Sequence, residues 1–481
     1  MGAEQQHDVV IIGGGIAGMM AANRAAQLGM TVIVLEKGAA EKYLCNTRFT
    51  GGSLHICHRD IMHDEAVLRQ AIRDNTAGYV PEDFALLIAR NGRRVVRWLQ
   101  DEGLKFMRAS ASEHHRWVLA PPGRSKPGVD WEGRAGDVLL QTLERQLKQR
   151  GGAIVRGAQA QSLLSEDGRC VGVAALHAGE QKNFRARAVI IADGGFQGNA
   201  DMMRQYVTKH PERIKQRGAG TGNGDGLRMA QALGAAVSNL EPFYGHVLSR
   251  DALTNDLLWP YPLLDALVTA GILVNARGVR FADEGRGGVY VANAIARLDD
   301  PLSAVCIFDR DIWEQPGARE LVPPNPHLPA VGGTLHKAND LGALAGLAGR
   351  PAAALKAAVD DYNRALGAAV EGSGAPLPLT PERRTQRYKP MPILKPPFFA
   401  APVVSGITYT MGGISINLHA QVMREDGSAI DGLYAAGIAA GGLEGGPQIG
   451  YVAGLARCGV TALVSAEHIA TQNNAVAGHV Q

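Results

Sequence analysis

Cysteine is scarce in this chain. There are five in 481 residues (Cys45, Cys57, Cys170, Cys306 and Cys458), with no CxxC and no Cys/His pair at metal-ligand spacing. That scatter excludes a disulfide framework, a cytochrome CxxCH site and a cysteine-ligated iron–sulfur cluster, so no metal is expected and the expected compartment is reducing, the cytoplasm. Cys45, beside the loop described below, is expected to be a small packed side chain. Long apolar runs are also missing. None reaches the roughly 18 residues of a spanning helix, and the start MGAEQQHD lacks the basic and apolar regions of a signal peptide. Gln6 stands where a myristoylation signal needs Ser or Thr. No membrane partner is expected. Charge of one sign is lacking too: 49 Lys plus Arg against 46 Asp plus Glu leave a net charge of +3, which gives no reason to expect a nucleic acid partner.

Glycine, by contrast, is abundant at 60 residues, and the first cluster of it is informative. An apolar strand from Asp8 to Ile12 runs into Gly13-x-Gly15-x-x-Gly18, then an Ala-rich helix, then a second β-branched strand ending in Glu36. Gly13 permits a tight turn, Gly15 lets a pyrophosphate approach the backbone, and Gly18 lets the helix pack closely on the sheet. The helix N-terminus offers free N–H groups and partial positive charge to phosphates. Glu36 stands 18 residues after Gly18, where a carboxylate accepts both hydroxyls of an adenosine ribose and disfavours a 2′-phosphate. The pattern predicts dinucleotide binding, and not of NADP.

A chain of 481 residues is long for one core, so two or more domains are expected. Residues 137–150 have the apolar spacing of an amphipathic helix. Short strands follow at Ala153–Val155, Cys170–Leu176 and Ala188–Ala192, the last leading into Asp193-Gly194-Gly195-Phe196. A second glycine cluster, Gly220 to Gly226, precedes another helix. From about Val237 to Pro396 prolines gather, with helices such as Ala352–Leu366 between them. An Ala-rich helix from about Ile449 closes the chain. The expected fold class is α/β: a discontinuous Rossmann-like nucleotide domain from 1–236 and 397–481, with an inserted α+β capping domain over 237–396.

Five blocks in order resemble the FAD flavoproteins of the fumarate reductase and succinate dehydrogenase superfamily, which includes 3-ketosteroid dehydrogenases and tricarballylate dehydrogenases. They are the N-terminal fingerprint, Asn46-Thr47-Arg48-Phe49-Thr50-Gly51-Gly52, Ala192–Phe196, Asn223–Gly226, and Thr410-Met411-Gly412-Gly413 leading to Gly432–Gly437. The likeness spans almost the whole chain, and Asn46–Gly52 is nearest the tricarballylate dehydrogenase type. It implies FAD as the tightly held cofactor. By position, it sets Gly13, Gly15 and Gly18 at the pyrophosphate, Glu36 at the ribose, and Asn46, Thr47, Gly51 and Gly52 along the flavin. Asp225 would partner a sugar or ribityl portion, and Gly437 and Gly441 belong to the late glycine-rich turns near the ribityl chain. Some relatives bond a histidine near the position of Asn46 to the flavin. Asparagine cannot do so, and the FAD is expected to be non-covalent. Ile438 stands where relatives commonly carry Glu or Asp.

Larger departures fall in the substrate site. The resemblance sets Tyr409 where fumarate reductases have a histidine, Gln448 where an arginine clamps a carboxylate, and Trp313 where an arginine donates the proton. A dicarboxylate bound in the fumarate manner would lack its clamp. The superfamily chemistry is hydride transfer between a substrate carbon and flavin N5, paired with proton transfer at the neighbouring carbon. Tyr409 and Tyr451, flanking the loops expected above the flavin ring, are first candidates for acid/base and carbonyl contact, as tyrosines are in the ketosteroid dehydrogenase branch. His246 is the third. Arg48, His55, His58 and Arg59 form a basic run from which one member is a candidate to hold a substrate carboxylate, and His114-His115-Arg116 is a candidate cover for the cleft. Glu284 and Arg286 match a Glu/Arg proton-delivery element and are expected to survive as a buried ion pair. The expected activity is that of a dehydrogenase (desaturase) forming a C=C bond next to a carbonyl or carboxylate of a small or cyclic organic acid or ketone, with electrons leaving to an external acceptor. Two alternatives stand beside it: an enoate reductase running the reverse reaction, and a flavoprotein subunit of an electron-transfer complex.

Overall fold

A computed structural model of the protein describes residues 6–367, 378–385 and 387–478. Its first layer grows from the N-terminal strand. In His7–Ile12 the side chains of Val9, Val10 and Ile11 are fully buried, the pattern of a strand covered on both faces. It pairs in parallel with Val32–Glu36 on one side and Glu180–Ile191 on the other. Ala153–Arg156 extends the sheet beyond Val32–Glu36, and Ala429–Ala435 extends it beyond Glu180–Ile191. Early and late segments of the chain thus close one sheet, the arrangement expected of a discontinuous nucleotide domain. The strands Ala158–Glu166 and Arg169–His177 hang from it as an antiparallel ribbon. Helix Ile16–Gln27 packs between Ala135–Gln149 and the C-terminal helix Gly454–Gly478.

The second layer is built on Phe398–Thr410, thirteen residues, nearly all buried. It pairs antiparallel with Phe243–Ser249, Val305–Asp309 and His336–Ala338, and in parallel with Lys215–Gln216. Ile272–Val274 adds at the far edge of Val305–Asp309. The divisions expected at 236/237 and 396/397 therefore do not coincide with the division between sheets. Lys215–Gln216 joins the second layer early, and the chain returns to the first only at Gln421–Met423, which pairs with Ala429–Ala435. A proline run shows that the chain leaves a regular element; it does not say which sheet the next strand joins. Where Phe243–Ser249 pairs with Phe398–Thr410, the register shifts between Tyr244 and Gly245, and such a bulge re-aims side chains. Among the described residues no helix is long and apolar enough to cross a membrane.

Candidate active site

The carboxyl ends of the first sheet's parallel strands open into a cleft of about 850 Å³, lined by Gly13, Gly14, Gly15, Glu36, Asn46, Thr47, Asp193 and Asp225 among others. This is where an open parallel sheet binds its ligand. No side chain caps Ile16–Gln27 at Gly15, although the Ile16 N–H donates to Thr47 Oγ1 at 3.0 Å. The Glu36 carboxylate accepts from the N–H groups of Gly14 (2.8 Å) and Gly38 (2.7 Å), and half of its roughly four lone-pair sites stay open to ribose hydroxyls. Burial raises its pKa, against the pull of those two N–H groups. Asn46 accepts from the Ala219 N–H (3.0 Å) and donates to the Thr408 carbonyl (2.7 Å), tying the flavin loop to the second sheet. Burial pushes the Cys45 thiol up to about 11, as befits a packed, unreactive side chain.

Two side chains of this cleft carry an unfilled acceptor. Asp193 Oδ2 accepts from the Gly226 N–H at 2.7 Å, but its Oδ1 and the Oε1 of Gln197 are buried without a partner. A ligand rich in hydroxyls satisfies such acceptors, and the sugar and ribityl hydroxyls of FAD are donors of that kind. Asp225 also lines the cleft, already paired with Arg228 (2.5 Å) and Lys37 (3.4 Å). The other glycines support the walls. A Cβ on Gly18 would lie 2.0 Å from the Gly13 carbonyl oxygen, and one on Gly52, Gly437 or Gly441 would strike Ala135, Ala17 or the Gly413 backbone. Burial lifts Asp193 to about 6 from its ordinary 3.8. The native protein then holds that proton where the unfolded chain has lost it, so stability of the flavin-free protein falls as pH climbs from about 4 to about 6 and stays lower above. Asp193→Asn is expected to abolish this decline. Urea midpoints at about pH 4.5 and pH 7 that fall equally in both proteins would refute it.

A second cavity, of about 870 Å³, shares Ile16, Asn46, Thr47, Ile438 and Cys458 with the first. The two cavities therefore adjoin along these residues. Gly51, Tyr244, His246, Tyr409 and Tyr451 line the second. The Tyr244 ring lies 4.3 Å from that of Tyr451 and 5.0 Å from that of Tyr409. Tyr451 Oη accepts from the Gly454 N–H at 2.9 Å, whereas the buried Tyr409 hydroxyl has no partner. Behind them Arg457 and Glu444, both fully buried, stand 3.2 Å apart, with Arg457 5.9 Å from the Tyr409 ring. Burial raises both phenols well above their ordinary value.

His246 forms the centre of a three-member chain. Its Nδ1 is 2.5 Å from Asp265 Oδ2, and its Nε2 is 2.9 Å from the Tyr244 hydroxyl. Asp265 Oδ1 accepts from the Val247 N–H at 2.8 Å. A carboxylate only accepts, so Nδ1 carries the proton and Nε2 takes the Tyr244 O–H. Burial lowers the His246 pKa, against the pull of Asp265, which leaves the imidazole a neutral acceptor. Burial lifts Tyr244 to about 12. His246 and Asp265 also line a wide vestibule that opens beside Tyr451, so the chain runs from the inner cavity towards solvent.

Other expected site residues are placed differently. Arg48 is spent in a buried ion pair with Asp137. His55 lines the inner cavity, while His58 and Arg59 line the vestibule. His114 lies against His55 and His58, with ring centroids 5.7 and 5.5 Å away. Glu284 pairs with Arg280 (2.5 Å) and faces Arg383 (3.9 Å), not Arg286. Arg286, one turn of 3₁₀ helix away, stacks on Tyr290 at 4.2 Å and lines the vestibule. Gln448 lines the vestibule as well, but Trp313 packs on Phe308 and Phe399 in the second layer. Tyr244, Asp265, Arg124 and Arg217 escaped the sequence reading. Only Tyr244 carried a signal, its place two residues before His246 on one strand.

The FAD binding domain family matches residues 8–450. The NADH:acrylate oxidoreductase of Vibrio harveyi is 25% identical over 93% of this chain, which spans about half (49%) of that relative's length. The 3-oxosteroid 1-dehydrogenase of Mycobacterium tuberculosis is 26% identical over 90% of the chain and 92% of its own length. The crystal structure of the 3-ketosteroid Δ1-dehydrogenase from Sterolibacterium denitrificans superposes with a TM-score of 0.73 at 22% identity, covering 97% of this chain and all of that one. With its parallel sheet, its glycine cleft and the match over residues 8–450, the chain belongs to the FAD binding domain family and is an FAD-dependent oxidoreductase.

Proposed function

We propose that the protein is a dehydrogenase that forms a C=C bond next to a carbonyl or carboxylate of an organic substrate. The observation that carries this reading is the Asp265–His246–Tyr244 chain at the inner cavity. FAD, when bound, accepts the hydride from the substrate carbon. Removing the proton from the neighbouring carbon falls to the chain's own residues. Tyr244 takes the α-proton at its oxygen as its own passes to His246 Nε2, and Asp265 stabilises the imidazolium that results. The phenol alone, with its pKa lifted to about 12, is a poor source of base at neutral pH; transfer to His246 removes the need to form a free phenolate. Proton release then follows the path from His246 to the vestibule. Tyr409, with its unpartnered hydroxyl, is placed to donate to the developing enolate oxygen. Tyr451 holds the Tyr244 ring by stacking.

The second layer serves as the roof of this site, since Tyr244, His246 and Tyr409 all stand on its strands. In the non-covalent binding proposed here, the flavin is retained by the fingerprint loop and the Asn46–Gly52 segment. Electrons leave to a separate acceptor, in a reducing compartment in keeping with five unpaired cysteines. Anaerobic mixing with saturated acids and ketones tests the reading. A substrate of a dehydrogenase bleaches the yellow protein. If no saturated compound bleaches it while an unsaturated acid reoxidises the dithionite-reduced protein, the same residues work in the opposite sense and the protein is an enoate reductase.

A further inference from the structure

Two arginines that neither the fingerprint nor the catalytic chain explains line the inner cavity. Arg217 is only 5% exposed. Its Nη1 donates to Thr408 Oγ1 (2.6 Å) and its Nη2 to the Pro260 carbonyl (3.3 Å), but its Nε has no partner. Arg124 enters from the loop after Leu119, with Nη1 3.2 Å from His115 Nε2 and its Nε also unpaired. Both guanidiniums face the Tyr261 ring, at 5.1 and 5.9 Å. Each is seated on a glycine: a Cβ on Gly51 would come within 2.4 Å of Arg124 Nε, and one on Gly406 within 2.6 Å of Arg217 Cδ.

Neither guanidinium has an ion-pair partner among the described residues. The carboxyls whose fields reach them are Asp265 and Glu320. Asp265 is committed to His246 and the Val247 N–H. The Glu320 carboxyl, its pKa raised by burial against the pull of Arg124, makes no ion pair with either arginine among the described residues. Taking a cation out of water without an anion is strongly unfavourable. Here Arg217 is buried and Arg124 partly buried around one cavity, and the backbone is shaped to hold both side chains, which leaves the anion to be supplied from outside. The vestibule is mixed in charge, with Asp74 and Glu113 in its lining, but Arg286 and Arg387 there likewise lack an ion-pair partner among the described residues.

We propose that Arg124 and Arg217 form the site for a carboxylate of the substrate, so that the substrate is an organic acid and not a neutral ketone. The proposal rests on the reading of this cavity as the dehydrogenation site and narrows it. It also accounts for Tyr409 and Gln448 standing where relatives carry cationic groups: the anion is held instead by Arg124, beside Gly51, and by Arg217, bonded to Thr408. Guanidinium is suited to the task because it presents two parallel N–H donors to a carboxylate.

The test is a titration of the flavin-loaded protein with acetate, benzoate and 3-phenylpropanoate, each against its primary amide, followed by the shift in flavin absorbance. At least one carboxylate is expected to bind about tenfold or more tighter than its amide. Arg217→Gln and Arg124→Gln are each expected to weaken that carboxylate about tenfold or more and to leave the amide unchanged. Tyr244→Phe leaves carboxylate affinity within about twofold, because it removes the proton acceptor and not the anion site. Equal affinity of acid and amide, or no carboxylate effect up to about 10 mM, overturns the proposal. If a substitution sheds flavin, acid against amide on the unaltered protein decides. Carboxylate binding without bleaching by any saturated acid would sink the dehydrogenase reading and leave the anion site standing.

Discussion

Replacing Tyr244 by Phe is expected to lower turnover by a factor of about 10²–10⁴, the usual contribution of a positioned general base, while flavin content and substrate affinity stay as they were. The change removes one oxygen. It keeps the ring, and with it the stack on Tyr451 at 4.3 Å and the contact with Tyr409 at 5.0 Å, so the walls of the cavity are preserved. What is lost is the 2.9 Å contact to His246 Nε2 and, among the described residues, the only hydroxyl through which His246 and Asp265 act on the cavity. The sign of the pH dependence follows from the same chain. His246 must be neutral to take the proton, and burial lowers its pKa, so activity in the desaturating direction is lost only as pH falls below the ordinary histidine range. Tyr244→Phe is expected to erase that acidic limb along with the rate. Rapid-reaction bleaching of the flavin measures both. A rate within about threefold of the original, with the limb intact, would remove Tyr244 from the reaction.

The contrast between what could and could not be read from the chain follows from the range of the interactions. The fingerprint is local: strand, turn, helix, strand and Glu36 lie within thirty residues, and the observed His7–Ile12, Ile16–Gln27 and Val32–Glu36 fall where periodicity sets them. His246 was visible because its place in the chain matches a known pattern, but its partner Asp265 comes from a separate helix, Asp265–Ala270. The Tyr409 ring meets Tyr244 as its partner across two strands far apart in the chain, and Tyr451 joins them from the loop before Gly454–Gly478. Arg124 stands in a loop between two short elements, Val118–Leu119 and Ala135–Gln149, where no periodicity distinguishes a buried guanidinium from a solvated one. Arg217 follows a two-residue strand, Lys215–Gln216, that no alternation rule detects. The sheet that each strand joins was not legible near residue 397 for the same reason: sheet membership is a long-range property, and prolines report only on local continuity.

Gly136→Ala is expected to strip the protein of most of its flavin, although Gly136 lines neither cavity. The amphipathic pattern starts the helix at 137, but the structure starts it at Ala135, so Gly136 lies in the first turn, buried. A Cβ there would sit 1.7 Å from the Thr47 carbonyl oxygen and 2.6 Å from its carbon. Those atoms are backbone, and no rotamer change relieves the overlap. Either the helix retreats or the Asn46–Gly52 segment is pushed away. Retreat is opposed by the buried Arg48–Asp137 pair, which fastens the segment to the same turn of helix. Displacing the segment breaks the 3.0 Å bond from the Ile16 N–H to Thr47 Oγ1 and shifts Asn46 off the Thr408 carbonyl, and with them the walls shared by both cavities. Overpacking of this kind costs about 1–3 kcal/mol, and where the bound flavin bears most of it, affinity for FAD falls by a factor of about 3–100. The absorbance ratio of flavin to protein after dialysis reads the effect. Gly346→Ala is the matched control, since that helical glycine has nothing within 4 Å of its Cβ position, and alanine there is neutral or stabilising by up to about 1 kcal/mol. Equal flavin content in the two variants would mean that the helix start and the flavin loop move independently, and that the narrow contact at Gly136 does not hold the cofactor site in shape.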